Sequence, residues 1–212
     1  MIAGIAFAGV TGVGKSTMFR LVTSKLVSRE DTSLLVLRNN LIQTRFYETF
    51  SATGSLDDLT AFLASPLRII EQLTRVSATW PSRDVDPKTV VMAESWLLNL
   101  CAELRIEPMD QIEYLDNLRA SANLAIVRLS FPSDLVAERS VISTRRYRGP
   151  GWGRYLDQMG NFDAQVAEFQ RRRDVIDRLF EICRPPKLSI DTSRMDWAAY
   201  ADEMLEYMRF SP

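Results

Sequence analysis

A short apolar segment runs straight into a glycine-rich loop near the amino terminus of this chain. Residues 2–8 (IAGIAFA) have the composition of a strand that is buried on both faces. The next eight residues, Gly9 to Ser16 (GVTGVGKS), fit the pattern G-x-x-x-x-G-K-[ST] at every fixed position. Apolar residues then recur at helical spacing from Thr17 to Ser28. This order of strand, loop and helix is the context in which such a loop binds phosphate.

The residue types of the loop explain that chemistry. Glycines let backbone N–H groups curl around phosphate oxygens, and the start of the helix adds a favourable dipole. Lys15 is expected to reach the β- and γ-phosphates, and the Ser16 hydroxyl to bind Mg²⁺. We therefore predict ATP and Mg²⁺ as the bound groups. The predicted binding residues of the loop are Gly9, Thr11, Gly12, Val13, Gly14, Lys15, Ser16 and Thr17.

Four further strands are predicted, with helices between them. They are Ser33–Arg38, Thr89–Ala93, Asn123–Leu129 and Lys187–Ile190. Strands that alternate with helices indicate an α/β fold, with a parallel five-stranded sheet between two helical layers. We predict one domain over residues 1–212, with a helical insertion at 39–87 on the acceptor side and a lid at 139–156. Helix starts are predicted after the capping patterns Ser55 to Asp58 and Ser193 to Asp196.

Composition excludes several classes of protein. The 212 residues carry a net charge of −1, and 46% are hydrophobic, which is typical of a globular chain. Histidine is absent, so catalytic triads and metal sites that use histidine are excluded. Cys101 and Cys183 are isolated, which argues against a disulfide framework and favours a cytoplasmic location. No apolar run is long enough to span a membrane.

Glu94 directly follows the predicted third strand. A carboxylate there lies beside the phosphate loop, where it can bind Mg²⁺ or its water, or accept a proton from an attacking hydroxyl. The alternative is a glutamate that only stabilises the start of the next helix.

Five arginines and no acidic residue occur between Arg139 and Arg154, around the glycine-rich stretch Gly149–Gly153. A flexible arginine-rich lid can neutralise charge on a transferred phosphoryl group and exclude water. A solvated basic surface and a nucleic-acid patch with Tyr147 and Trp152 are the alternatives. The near-zero net charge argues against broad affinity for nucleic acid. The run Arg171–Arg173 is interpreted as a solvated helix face.

Aromatic residues mark the predicted acceptor side. Phe46 lies in the long insertion, and Trp96 follows Glu94 by two residues. Aromatic faces favour stacking with a flat ring, so both are candidates for contact with an acceptor of that kind.

The order of these features resembles the P-loop nucleoside and nucleotide kinases, most of all the thymidylate kinase and deoxynucleoside kinase group. The resemblance implies a sheet order of 2-3-1-4-5, a homodimer and phosphate contacts from Arg145, Arg146 and Arg148. It also implies that Arg139 ends near the adenine, which the backbone of Asp191 and Thr192 contacts, and that Arg38 holds an acceptor phosphate. Ser95 stands where the group usually carries an arginine, and Asn39 follows Arg38 where deoxynucleoside kinases carry a glutamate.

The function predicted from the sequence is transfer of the γ-phosphoryl group of Mg-ATP to a nucleoside or a nucleoside monophosphate. The assigned catalytic residues are Lys15, Glu94, Arg145, Arg146 and Arg148, and the assigned metal ligands are Ser16 and Glu94. The assigned acceptor contacts are Arg38, Phe46 and Trp96. Two alternatives stay open: a kinase for another small hydroxyl compound such as an antibiotic, and an ATP-dependent switch that binds a partner without phosphorylating it.

Overall fold

Five parallel strands form the central sheet of the protein, which is described here from a computed structural model. The structure describes residues 4–28, 32–38, 55–79, 88–95, 97–105 and 109–210. The strands are β1 (Gly4–Ala8), β2 (Thr32–Leu37), β3 (Lys88–Ala93), β4 (Leu124–Ser130) and β5 (Lys187–Asp191). They pair in the order β2-β3-β1-β4-β5, so the predicted strands and their order are confirmed.

Helices cover both faces of this sheet. Before β4 they are α1 (Lys15–Val27), α2 (Leu56–Thr79), α3 (Leu97–Leu104) and α4 (Met109–Ser121). After β4 come α5 (Ser143–Tyr147), α6 (Pro150–Gln158), α7 (Phe162–Ile182) and α8 (Trp197–Phe210). The predicted α/β architecture with two helical layers is therefore confirmed.

Strand β1 shows how the two cores are built. Its side chains alternate, so Ile5 and Phe7 join the cluster with α1 and α8, while Ala6 and Ala8 join the cluster with α2, α3, α4 and α7. Every residue of β1 is buried. A central strand that is buried on both faces holds the loop that follows it at the carboxyl edge of the sheet, where ligands bind in such folds.

Side-chain caps fix the starts of two helices. The Ser55 hydroxyl accepts a hydrogen bond from the backbone N–H of Asp58 at 3.2 Å, as its capping pattern predicts. At α8 the carboxylate of Asp196 accepts from the N–H of Ala199 at 3.2 Å. The last residue of the predicted second pattern is thus the cap, and the helix begins at Trp197.

The predicted lid segment is helical, which corrects one expectation. A π-helical turn (Ala137–Ile142) leads into α5, and α6 begins at Pro150. The prediction of a flexible loop at Gly149–Gly153 is therefore wrong. Proline is favoured in the first turn of a helix because its fixed φ and missing N–H cost nothing there, so Pro150 starts α6 despite the glycines around it.

Part of the predicted insertion is described as well. Helix α2 occupies residues 56–79, whereas 39–54 and 80–87 lie outside the described residues. Among the residues that the structure describes, no helix has the length and apolarity that crossing a bilayer requires.

A buried ion pair ties together the edge of the sheet opposite the phosphate loop. Arg119 is 1% exposed, and its Nε donates to Asp116 Oδ1 at 2.8 Å. Its Nη1 donates to the carbonyl of Leu124 at 2.6 Å, and its Nη2 to the carbonyl of Arg184. Asp116 Oδ2 accepts from the N–H of Arg184 at 2.7 Å. One guanidinium therefore joins α4 to the starts of β4 and β5.

We expect Arg119→Met to lower the free energy of unfolding by about 3–5 kcal/mol, because Asp116 would remain as an unpaired buried charge. Urea unfolding followed by circular dichroism measures this change. The control is Arg75→Met, whose ion pair with Glu71 lies at the surface of α2 and is worth about 1 kcal/mol or less. Equal effects of the two substitutions would contradict the assignment of Arg119 as a structural clamp.

Candidate functional site

Two glycines of the loop between β1 and α1 are required by its surroundings as well as by its turns. Gly12 and Gly14 have φ of +85° and +97°, which residues with a side chain rarely adopt. A Cβ on Gly12 would overlap the carbonyl group of Arg139, and one on Gly14 would overlap the indole ring of Trp197. The loop is therefore enclosed by the segments that follow β4 and β5.

The Lys15 side chain folds back over this loop. Its Nζ donates to the carbonyl of Gly9 and, at 3.1 Å, to that of Val10. Burial lowers the pKa of Lys15 to about 8, and the charge of Arg148 adds to this, while the carboxylates of Glu103 and Glu94 oppose it. The ammonium group therefore lies near three other charged side chains, those of Glu94, Glu103 and Arg148.

Asn99 of α3 holds the first residue of the loop. Its Nδ2 donates to the carbonyl of Gly9 at 2.7 Å, and its Oδ1 accepts from the N–H of Gly9 at 3.3 Å. Asn99 is buried within a helix of otherwise mostly apolar residues. An uncharged polar residue among the apolar residues at the start of this helix was the available signal for this role, which was not predicted from the sequence.

Ser16 and Glu94 meet at the start of α1. The Ser16 hydroxyl donates to Glu94 Oε1 at 2.6 Å, and the backbone N–H of Glu94 donates to the carbonyl of Leu37 at 3.0 Å. The carboxylate thus follows β3 at the carboxyl edge of the sheet, as predicted, and lies beside the loop.

Two hydroxyl groups hold the middle of the loop. Ser140 Oγ donates to the carbonyl of Thr11 at 2.6 Å. Thr192 Oγ1 lies 3.1 Å from the carbonyl of Val13 and 2.9 Å from that of Ser130. The loop backbone is therefore fixed by three elements that are distant in sequence.

Arg139, which the resemblance places near an adenine, is buried. Its Nη1 donates to the carbonyl of Thr192 at 3.0 Å, and its guanidinium carbon lies 4.5 Å from the ring centre of Phe131 and 6.0 Å from that of Trp197. Burial lowers the pKa of Arg139 from its ordinary value. Asp191 Oδ1 accepts from the N–H of Ser193 at 2.8 Å and so shapes the following turn.

A cavity of about 740 Å³ lies over the loop. Six of the predicted loop residues line it, namely Thr11, Gly12, Gly14, Lys15, Ser16 and Thr17, while Gly9 and Val13 lie buried behind them. Arg139 and Glu94 also line it. On the side of β5 the lining residues are Met195 and Trp197, which the sequence analysis missed, and not Asp191 or Thr192.

The three predicted lid arginines differ in position. Arg148 lines the cavity, and its guanidinium lies 4.3 Å from the ring centre of Trp152. Burial lowers the pKa of Arg148, and the nearby carboxylate of Glu94 partly opposes this shift. Arg145 instead pairs with Asp157 at 2.7 Å, and Arg146 stacks on the ring of Tyr147. Neither arginine is among the described residues that line the cavity.

Helices α3 and α7 supply another wall of the cavity. Glu103 and Arg172 line it, and Glu103 Oε1 lies 3.7 Å from Arg172 Nη1. Arg171 donates to the carbonyl of Ala102 at 2.6 Å, which joins the two helices. The interpretation of Arg171–Arg173 as a solvated face is therefore wrong: Arg171 and Arg172 contact α3, Arg173 pairs with Asp177 of its own helix at 3.7 Å, and all three are partly buried.

Of the three predicted acceptor contacts, the structure describes only Arg38. Arg38 is exposed at the end of β2 and is absent from the described lining. Phe46 and Trp96 lie outside the described residues. The roles of all three stay predictions.

Comparison with known proteins supports the fold. No protein-family model matches the sequence, and no curated protein matches it. Among solved structures, the YorR protein from Bacillus subtilis in complex with phosphorylated GDP is similar at a TM-score of 0.59 and 9% identity, over 97% of this chain and 95% of that chain. Deoxyadenosine kinase from M. mycoides, with the products dCMP and dCDP bound, is similar at a TM-score of 0.50 and 12% identity, over 97% and 98%. The chain therefore shares its fold with these two proteins over nearly its whole length, which agrees with the sheet order implied by the resemblance found in the sequence.

Proposed function

We propose that this protein is an ATP-dependent phosphotransferase that moves the γ-phosphoryl group of Mg-ATP to a nucleoside or a nucleoside monophosphate. The observation that carries the proposal is the contact between Ser16 and Glu94, 2.6 Å long, on the wall of a cavity that Lys15 and Arg148 also line. A phosphate loop, a metal-binding pair and two cations thus face one space. The solved structures of similar fold, which hold a phosphorylated GDP and dCMP, add support.

The donor nucleotide would bind along the loop. The N–H groups at the start of α1 and the Lys15 ammonium favour the triphosphate, because both place positive charge where its oxygens lie. The cavity of about 740 Å³ lies within the range of roughly 300–1,000 Å³ that is common for ligand pockets. Arg139 and Trp197 offer flat faces to a purine at the side of β5.

The residues at the start of α1 fit a magnesium ion. A hydroxyl and a carboxylate are oxygen ligands of the kind that Mg²⁺ takes in nucleotide sites, where substrate phosphates complete its shell. Ser16 and Glu94 would hold it, and when bound it would neutralise charge on the phosphate oxygens.

In the transfer step an oxygen of the acceptor would attack the γ-phosphorus in line with the leaving ADP. Lys15 and Arg148 would stabilise the charge that builds up on the transferred group, and α5 and α6 would limit access of water. Assembly as a homodimer and a cytoplasmic location stay predictions from the sequence.

We expect Lys15→Ala and Glu94→Gln each to lower kcat by about 10²–10³-fold, because each removes a group that stabilises charge at the reacting phosphate. The measurement is release of ADP from Mg-ATP in the presence of a panel of nucleosides and their monophosphates. Circular dichroism serves as the control that both variants fold. Wild-type turnover in either variant would remove that residue from the mechanism, and release of ADP with no acceptor consumed would favour a switch over a kinase.

The lid arginines should separate under the same assay. Arg148→Ala should lower kcat by about a hundredfold, because its guanidinium lines the cavity beside Glu94. Arg146→Ala is the matched control, since that side chain is exposed on Tyr147, and it should change kcat by less than about threefold. The reverse order of effects would support the phosphate role that the resemblance gives to Arg146.

Binding of Mg-ATP should weaken in alkaline solution. The pKa of Lys15 in the free protein is about 8, so below that value its ammonium is charged and ready to bind phosphate. Above it the protein must first take up a proton, and Kd should rise by up to about tenfold for each pH unit. Calorimetric titration at several pH values measures this, and Lys15→Ala should bind weakly with no such rise. A flat profile for the wild type would contradict the role of Lys15.

A further inference from the structure

We propose that Glu103 and Arg172 form the acceptor end of the cavity and select an acceptor that presents a hydroxyl group without a phosphate, that is, a nucleoside over a nucleoside monophosphate. This inference rests on the proposed phosphotransfer function and names the substrate class of the same site.

The topology places these two residues opposite the donor side. In the sheet β3 lies on one side of β1, and β4 and β5 lie on the other. Helix α3 follows β3, and the turn that carries Met195 and Trp197 follows β5, so the two lie on opposite sides of the phosphate loop. Arg172 reaches the same side because α7 packs on α3, where Arg171 bonds to the carbonyl of Ala102. A second ligand beside the donor triphosphate therefore meets Glu103 and Arg172.

The reacting end of the donor is close to this wall. Glu103 lines the same cavity as Lys15 and Glu94. Glu94 is engaged by the hydroxyl of Ser16 on the metal side. Within this one cavity Glu94 therefore lies beside Ser16, and Glu103 lies beside Arg172.

Arg172 is held by hydrogen bonds, and its positive charge pairs with the carboxylates of Glu168 and Glu103. Its Nε donates to Glu168 Oε1 at 2.8 Å, and its Nη1 donates to the hydroxyl of Tyr155 at 2.6 Å. Burial raises the pKa of Glu168, but the hydrogen bonds from Arg171 and Arg172 outweigh it and hold the pKa at about 2. Arg172 is therefore held in place by a carboxylate that stays ionised, and it in turn positions Glu103.

This arrangement favours a neutral hydroxyl acceptor. A carboxylate accepts hydrogen bonds at several lone pairs, so Glu103 can take one from an acceptor hydroxyl in addition to its ion pair with Arg172. A phosphate dianion at the same place would be repelled by Glu103. Arg38, to which the resemblance gives an acceptor phosphate, is exposed at the end of β2 and does not join the described lining.

The test compares kcat/KM for nucleosides and for the matching monophosphates in the wild type, Glu103→Gln and Glu103→Asp. We expect the wild type to prefer nucleosides by at least about a hundredfold. Glu103→Gln has nearly the same shape, and it should lower kcat/KM for nucleosides by about 10–100-fold. Kd for Mg-ATP should change by less than about twofold when it is measured at about pH 6, where Lys15 stays charged. Glu103→Asp keeps the charge and should recover part of the loss. Glu203→Gln, an exposed change on α8, is the control.

Three outcomes would overturn the inference, and they are distinguishable from one another. Preference for monophosphates, with loss of that activity in Arg38→Ala, would overturn it and leave the kinase function intact. An equal loss of nucleoside turnover and Mg-ATP binding in Glu103→Gln would make Glu103 a structural residue. No consumption of either acceptor class, with Mg-ATP still bound, would overturn the proposed function and the inference with it.

Discussion

The site depends on one constraint, which is that the backbone of the phosphate loop is clamped from all sides before any ligand binds. Asn99 bonds to both polar groups of Gly9, and the hydroxyls of Ser140 and Thr192 hold the middle of the loop. Contact with neighbouring backbone and with an indole ring leaves room only for glycine at two positions. The N–H groups of the loop are therefore oriented in advance, which lowers the cost of ordering when an anion binds.

The hydrogen bonds from Asn99, Ser140 and Thr192 also explain which elements must surround the loop. Its partners come from α3, from the π-helical turn after β4 and from the turn after β5. These segments follow β3, which is on one side of β1, and β4 and β5, which are on the other side. A shift in that order would separate the loop from Asn99 or from Thr192, so the topology and the chemistry of the site are linked by a few buried hydrogen bonds.

Local sequence patterns predicted much of this architecture. The five strands, the helix after the phosphate loop and the last helix each carry their signal in adjacent residues, and alternation of strands and helices determined the fold class. Glu94 was found because it directly follows a strand, and its contact with Ser16 needs only the register of two neighbouring strands. The sheet order came from the resemblance and not from the residues themselves.

The remaining features depend on contacts between residues far apart in the chain. Glu103 and Arg172 are separated by 69 positions, and no spacing rule brings them together. Three consecutive arginines suggest a solvated surface until α7 is seen to pack on α3. The glycines of 149–153 suggested a loop, whereas one proline was enough to start α6. In each case tertiary packing outweighed a local preference.

Arg119 joins α4 to the amino ends of β4 and β5 by buried hydrogen bonds, while the cavity lies over the loop at the carboxyl end of β1. The groups that stabilise the sheet and the groups proposed to contact an acceptor therefore lie at opposite ends of the strands. Substitution of Glu103 leaves the hydrogen bonds of Arg119 in place, because these lie at the opposite edge of the sheet. Under the proposed function, a change at Glu103 would therefore alter the acceptor end of the cavity while these hydrogen bonds of the sheet stay intact.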